Sequence, residues 1–266
     1  MSREATDSDD RIMNTAKFQI DLNEKFETLR NAPIVEAVIR FNAVPTVNYG
    51  PTELKDALAS RFPGYTLQDR RRVETGLQRS ADDEIAMHRE PTWDGLRLRS
   101  EGGKEICQWK RDSIVFSRLQ PYESWPKLLE SVMPLWATYR ELGRPEVIEG
   151  IGVRFISQMP LHENEKLSKY VHKIPKPLTG LGLRSDSFFH QDTIPLKGYP
   201  YELKLIRAMQ AAAEKSGSKK LLIVDIDVST TMAVTFDQLA KTLDELRYIK
   251  NKVFFSYMKN AVQHFG

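Results

Sequence analysis

The side chains best spaced for chemistry are Asp225 and Asp227, two residues apart in "LLIVDIDVS" (221–229). Carboxylates at i and i+2 of an extended strand share a face and could chelate a divalent ion. The plainer reading is that they form the wet side of a half-buried strand, because Val224, Ile226 and Val228 alternate with them. With no third acid close in sequence, we prefer the plainer reading and carry the pair only as weak metal candidates. The one cysteine, Cys107, excludes an intramolecular disulfide and any cysteine-based zinc site. It stands next but one to Trp109 in a predicted hairpin strand and reads as a packed thiol, since nothing nearby in sequence would activate it. His88, His162, His172, His190 and His264 show no His-Glu-x-x-His spacing. "EGGKEI" lacks the spacing and the Ser/Thr of a phosphate loop, "GLGLRS" (180–185) lacks a third glycine, and no Gly-x-Ser-x-Gly elbow occurs. We therefore expect no catalytic residue and no cofactor, and lean away from an enzyme.

A second constellation is electrostatic. In "NAPIVEAVIRFNAVP" (31–45), Val35, Ala37, Ile39 and Phe41 make one apolar strand face, while Ile34, Glu36, Val38 and Arg40 make a mixed one. An acid and a base four residues apart on one strand face either neutralise charge across neighbouring strands or grip something outside. The same face is expected to carry Arg154, Glu202, Lys204, Asp225 and Asp227. Glu36, Arg40, Arg154, Glu202 and Lys204 form the predicted interaction face.

Composition sets the frame. The chain has 266 residues and a net charge of +3, unevenly spread. Residues 1–30 hold five Lys/Arg against seven Asp/Glu; residues 161–220 hold eleven against six. A nucleic-acid binder usually shows a denser basic stripe, so the 161–220 segment reads first as a solvated basic flank. No apolar run reaches spanning length and no signal-peptide core opens the chain, so no membrane association and a cytoplasmic setting are expected.

The elements that must position these residues are legible as two similar runs. Residues 1–17 read as a disordered tail, 18–145 as a first α+β half and 146–266 as a second, packed as one unit. "YGPTELKDALASRF" predicts a short helix with proline in its first turn. "GYTLQDRRRVETGLQ" predicts a strand with a basic middle. "LRLRSEGGKEICQWKRDSIVFSRL" (96–119) predicts a hairpin turning at Gly102-Gly103 and a third strand. Trp125, Leu128, Leu129, Val132, Leu135, Trp136 and Tyr139 mark a long helix that Pro134 should kink or split. "VIEGIGVRFISQMP" (147–160) then echoes "IVEAVIRFNAVP" (34–45). A short helix is expected within 163–172, and strands near 199–213 and 219–229. A final helix should run from Thr235, boxed by Gln238, to about Phe265, with a break near Asn251; its apolar stripe is Leu239, Leu243, Leu246, Phe254, Tyr257 and Ala261. The expected architecture is α+β: duplicated strand–helix–antiparallel strands–long helix halves, forming an antiparallel sheet with helices on one face.

"NAPIVEAVIRF", the "PYESW…LWATY" helix, "EVIEGIGVRFIS" and "LDELRYIKNKVFF" together resemble a sporadically distributed prokaryotic family of uncharacterised proteins that open with an Asn-x-Pro-Ile-x-Glu-Ala motif. The resemblance spans residues 29 to 260. It departs at the middle strand, where "GIGVRFIS" lacks the arginine and asparagine of the family's Arg-x-Gly-x-Arg-Tyr-Ile-Asn-like pattern. The resemblance implies no catalytic residue. By analogy, patchy distribution suggests a mobile module such as an antiviral defence or toxin–antitoxin component. The function expected is non-enzymatic protein binding or regulation, with a protein partner. The alternatives are a nucleic-acid-binding module, using the sheet face, Arg70-Arg71-Arg72 and the basic segments, and a divalent-metal-dependent enzyme at Asp225 and Asp227.

Overall fold

Alternation of small and large apolar residues puts a strand at Ile34–Asn42 (β1), with Ala37, Ile39 and Phe41 fully buried and Glu36, Val38 and Arg40 only half-buried. The computed structural model describes residues 18–79, 85–162, 165–172, 187–212 and 220–266, with 73–79 and 85–90 by backbone alone. The chain continues as a helix, Pro51–Arg61 (α1), and strands Tyr65–Arg79 (β2), Ile85–Ser100 (β3), Glu105–Lys110 (β4) and Ser113–Leu119 (β5). A long helix, Trp125–Gly143 (α2), leads to the strand Gly150–Leu161 (β6). Strands Phe188–Pro195 (β7), Tyr201–Ala211 (β8) and Lys220–Thr230 (β9) precede the helices Leu239–Tyr257 (α3) and Ala261–Phe265 (α4). The strands form one nine-stranded sheet in the order β2-β3-β4-β5-β1-β6-β9-β8-β7. Every neighbouring pair in it is antiparallel.

The fold is therefore α+β. Both long helices lie on the face that carries Ala37, Ile39 and Phe41. From α2, Trp136 stacks on Phe41 with ring centroids 4.5 Å apart, and Tyr139 stacks on Trp136 in turn. The Tyr139 hydroxyl donates to the Ala43 carbonyl at 2.7 Å, whereas the buried Trp136 indole N–H has no partner among the described residues. From α3, Lys250 lies over Phe155, which register aligns with Ala37 and Ile226. Tyr49, just ahead of α1, accepts from the Trp109 indole at 3.1 Å on the same side. Residues 18–33 run as an extended strap against α3. They are pinned by Phe26 stacked on Phe255, by Tyr248 donating to Glu24 at 2.6 Å, and by a Lys252–Glu24 ion pair at 2.6 Å.

Several expectations need correction. Pro134 neither splits nor ends α2, which runs unbroken for 19 residues. Pro134 and Glu130 are both exposed, so the carbonyl that loses its amide partner can be hydrated and the ring meets no packed neighbour. Thr235 does not cap α3: a 3-10 turn at Phe236–Gln238 intervenes, and the helix starts at Leu239. The Thr235 hydroxyl instead bonds the Asp237 carboxyl and helps hold it below its usual range. The break in the last helix falls at Met258–Asn260, where Asn260 turns left-handed (φ 48°), rather than near Asn251. The expected helix within 163–172 is only a 3-10 turn at Leu167–Lys169. Edge strand β7 is not legible in the sequence because most of its residues are exposed and no apolar alternation marks it. The tail, "GLGLRS" and the turn at 216–218 lie outside the described residues. Among the described residues, no helix is long and apolar enough to cross a membrane.

Candidate interaction face

Period-two geometry carries the polar residues to the face opposite α2 and α3. Register aligns Val38 with Arg154, Asp227, Lys204 and Thr193 across five strands. One step along, Arg40 aligns with Gly152, Ser229 and Glu202; on the other side, Glu36 aligns with Ile156, Asp225 and Ile206. Glu36, Arg40, Arg154, Glu202, Lys204, Asp225 and Asp227 therefore do share one face, as the spacing requires.

Their pairing is less even than simple neutralisation would give. Arg154 does not hold Asp227, the residue directly across from it, but reaches diagonally to Asp225. Nε donates to Oδ1 at 2.9 Å and Nη2 to Oδ2 at 2.6 Å, a two-point clamp. Asp225 is consequently 5% exposed, which corrects the expectation of a wet-side carboxylate. With both oxygens held by a guanidinium, its environment is that of an ion pair rather than an open chelate. Among the described residues, no group of three His, Cys, Asp or Glu side chains is placed to hold a metal ion.

Asp227 lacks such a clamp. Desolvation pushes its carboxyl up, while the nearby charges of Arg40, Arg154 and Lys204 draw it back down. Arg40 does not pair with Glu36. Its guanidinium lies over Gly152, with Nη2 3.0 Å from where a β-carbon would stand, so the glycine is what lets the side chain lie flat against β6. Arg40 Nε is buried with no hydrogen-bond partner. Glu36 instead acts at a distance on Arg154, adding to the Asp225 clamp that raises that guanidinium. Lys204 and Glu202 make a loose same-strand pair at 3.5 Å.

The remaining candidates scatter. Cys107 is fully buried in β4, and burial pushes its thiol up, away from reactivity. His190 sits beside Arg207 and Asp192 on β7 and β8, and His264 packs against Tyr170 with ring centroids 4.7 Å apart. His162 is exposed after β6, the His172 backbone amide donates to Tyr257, and the His88 side chain lies outside the described residues. Arg70 bonds Gln108 and lies 3.6 Å from Asp94, while Arg71 and Arg72 are exposed on edge strand β2. Much of the basic 161–220 segment lies outside the described residues.

No family model matches this chain, and no curated protein matches it.

The two aspartates separate cleanly in expectation. Asp227→Asn should change stability by less than about 0.5 kcal/mol, because it removes a partly desolvated charge that makes no hydrogen bond. Asp225→Asn should cost about 2 kcal/mol by breaking a buried, doubly bonded pair. Urea titrations of the two single variants check this, and equal effects would contradict the assigned clamp.

Proposed function

We propose that the chain is a non-enzymatic binding component that engages another protein through the helix-free sheet face, with Arg40 and Asp227 at the centre of the contact. The observation that supports this reading is Arg40 itself. A cation placed there only to neutralise the face would be paired, as Arg154 is. Arg40 is instead half-buried, laid over a glycine, and left with an unsatisfied Nε beside a carboxylate that is only partly compensated. Arg70 and Arg207 also have an orphan Nε but bond Gln108 and Asp192 through their other nitrogens, whereas Arg40 makes no hydrogen bond or ion pair among the described residues, which leaves its outer guanidinium nitrogens free for a partner. The partner surface that fits is polar and presents carboxylate or carbonyl oxygens to Arg40 and Lys204.

We further propose that the two halves are duplicates. Supporting this, β1 and β6 pair at the middle of the sheet, each flanked by the last strand of its own half, β5 or β9. Each half also carries a 19-residue helix after its last strand, followed in the second half by the short α4. The resemblance to a sporadically distributed prokaryotic family supports, by analogy, a partner within a defence or toxin–antitoxin-like module. A lone buried cysteine fits a reducing, cytoplasmic setting.

The test is co-purification from the native host, identification of the partner, and titration of purified partner against the chain. Arg40→Gln should melt within a few degrees of the parent yet weaken binding by roughly thirtyfold or more, matching about 2 kcal/mol for a desolvated interfacial charge. Parental affinity in both Arg40→Gln and Lys204→Glu would overturn the reading. A second reading rests on Arg97 and Arg99, exposed on the same face of β3, with Arg97 in register with Gln108, Val115 and Arg40. It would prevail if a gel shift gave nanomolar, steeply salt-dependent affinity for a nucleic acid.

A further inference from the structure

On the opposite side of the sheet, the strap 18–33, the start of α2 and the stretch of α3 from Asp244 to Phe255 border an open-mouthed cavity of about 630 Å³. That is the size of a pocket for a small organic molecule. Phe155, Ser157 and Ile226 from the sheet line it, as do Tyr122, Trp125, Phe254 and Phe255 around it. Lys250 lines it too, although this lysine is only 9% exposed. The α3 stripe explains how it arrives there. Leu239, Leu243, Leu246, Phe254 and Tyr257 follow three- and four-residue spacing with one omission, and the omitted position is Lys250.

Lys250 has no ion pair or hydrogen bond among the described residues; its ammonium lies 4.0 Å from the Phe155 ring centroid. A cation–π contact offsets part of the burial cost but supplies no hydrogen-bond acceptor from the protein. Its nearest charged influence is Arg247, one turn earlier on α3, which repels it. Arg247 is exposed at the mouth and lies over the Trp125 ring, whose indole N–H is buried without a partner. Acids do line the cavity, but at its mouth. Glu24 is committed to Lys252 and Tyr248, Glu123 to Arg118, and Asp244 and Glu27 are exposed. The site thus offers one cation inside, a second at the mouth and an orphan indole donor within aromatic walls, with no internal counter-ion.

We propose that this cavity binds a small amphipathic acid: one carboxylate, held by Lys250 and Arg247, on a flat apolar body packed among Phe155, Trp125 and Tyr122. A singly charged head fits better than a polyphosphate, because the acids at the mouth would repel a larger negative charge. The site is independent of the sheet-face reading, since it lies on the helix-covered side.

The experiment is calorimetric titration of the full chain with 2-naphthoate and, in parallel, with 2-naphthamide, which has the same body without the charge. The expected result is saturable one-site binding with the acid at least tenfold tighter than the amide. Lys250→Met should remove most of that preference while raising or preserving the melting temperature. Arg247→Gln, an exposed change that does not threaten folding, should reduce the preference severalfold and keeps the proposal testable if Lys250→Met does not fold. Absence of saturable binding by the parent, equal affinity for acid and amide, or a preference that survives in every folded variant would each overturn the proposal.

Discussion

Arg154→Leu should destabilise the protein by about 3 kcal/mol, far more than a half-exposed arginine on a sheet face normally would. The reason lies in what stays behind. Arg154 is 43% exposed at its side chain, but the Asp225 carboxylate that it clamps is only 6% exposed. Removing the guanidinium leaves an anion in β9 with Ile156 and Ile206 in register on either side and no replacement donor. Breaking a buried pair from one side costs about 3–5 kcal/mol because the abandoned charge must be desolvated or protonated. The double variant Arg154→Leu with Asp225→Leu should recover most of the loss, since replacing both partners by apolar groups is often close to neutral. Urea unfolding of the two singles and the double measures this as a coupling energy. A coupling below about 0.5 kcal/mol would show that the clamp is ornamental. Arg154 substitutions therefore confound stability with binding more than Arg40 substitutions do, since Arg40 makes no hydrogen bond or ion pair among the described residues.

Lys250→Met should move stability the other way. Burial pushes the Lys250 ammonium down to about 7 from an ordinary value of 10.5. Below about pH 7 the lysine is protonated both folded and unfolded, and the folded state bears the full penalty of burying the charge. Between about pH 7 and 10.5 the unfolded chain binds more protons than the folded one, so the parent gains stability as pH rises. Above that range both forms are neutral and the penalty is gone. Lys250→Met, which never bears it, should therefore be more stable than the parent by roughly 2–4 kcal/mol near pH 6–7, since each tenfold loss of proton affinity on folding corresponds to about 1.4 kcal/mol. The advantage should shrink steadily towards pH 10. For a chain of this size the neutral-pH difference corresponds to roughly 4–12 °C in melting temperature. Melting curves of parent and variant between pH 6 and 10 decide it. A variant that is less stable at pH 6.5, or an advantage independent of pH, would contradict the assignment of Lys250 as a buried, uncompensated cation. A residue that destabilises its own fold at neutral pH is the pattern expected where a site is kept for binding rather than for stability.

How far these features can be read from sequence differs from one to the next. Strand β1 is legible because Ala37, Ile39 and Phe41 alternate with Glu36, Val38 and Arg40, and period two fixes which side chains share a face. The membership of the polar face follows from the same parity in β6, β8 and β9. The pairing within it does not, because Arg154 prefers the diagonal Asp225 to the directly opposed Asp227, a choice made by side-chain reach and not by spacing. Arg40 cannot be read as unpaired without knowing that Gly152 lies beneath it. In α2, a single-sequence rule about proline overstates its effect, since the rule does not know that Pro134 faces solvent. Lys250 is visible as a gap in an otherwise regular apolar stripe. What the stripe cannot convey is that the strap 18–33, more than two hundred residues earlier, closes the other wall of the space it faces.

Whether a partner protein sits on the helix-free face is decided by carboxyl footprinting of the complex. Carbodiimide coupling of glycine ethyl ester to exposed acids, read by mass spectrometry, compares the free chain with the chain bound to its purified partner. Binding on that face should strongly protect Glu36 and Glu202, while Glu123 and Asp244 on the helix side are labelled as in the free protein. Protection of Glu123 and Asp244 with undiminished labelling of Glu36 and Glu202 would place the partner on the other side of the sheet and refute the proposed contact.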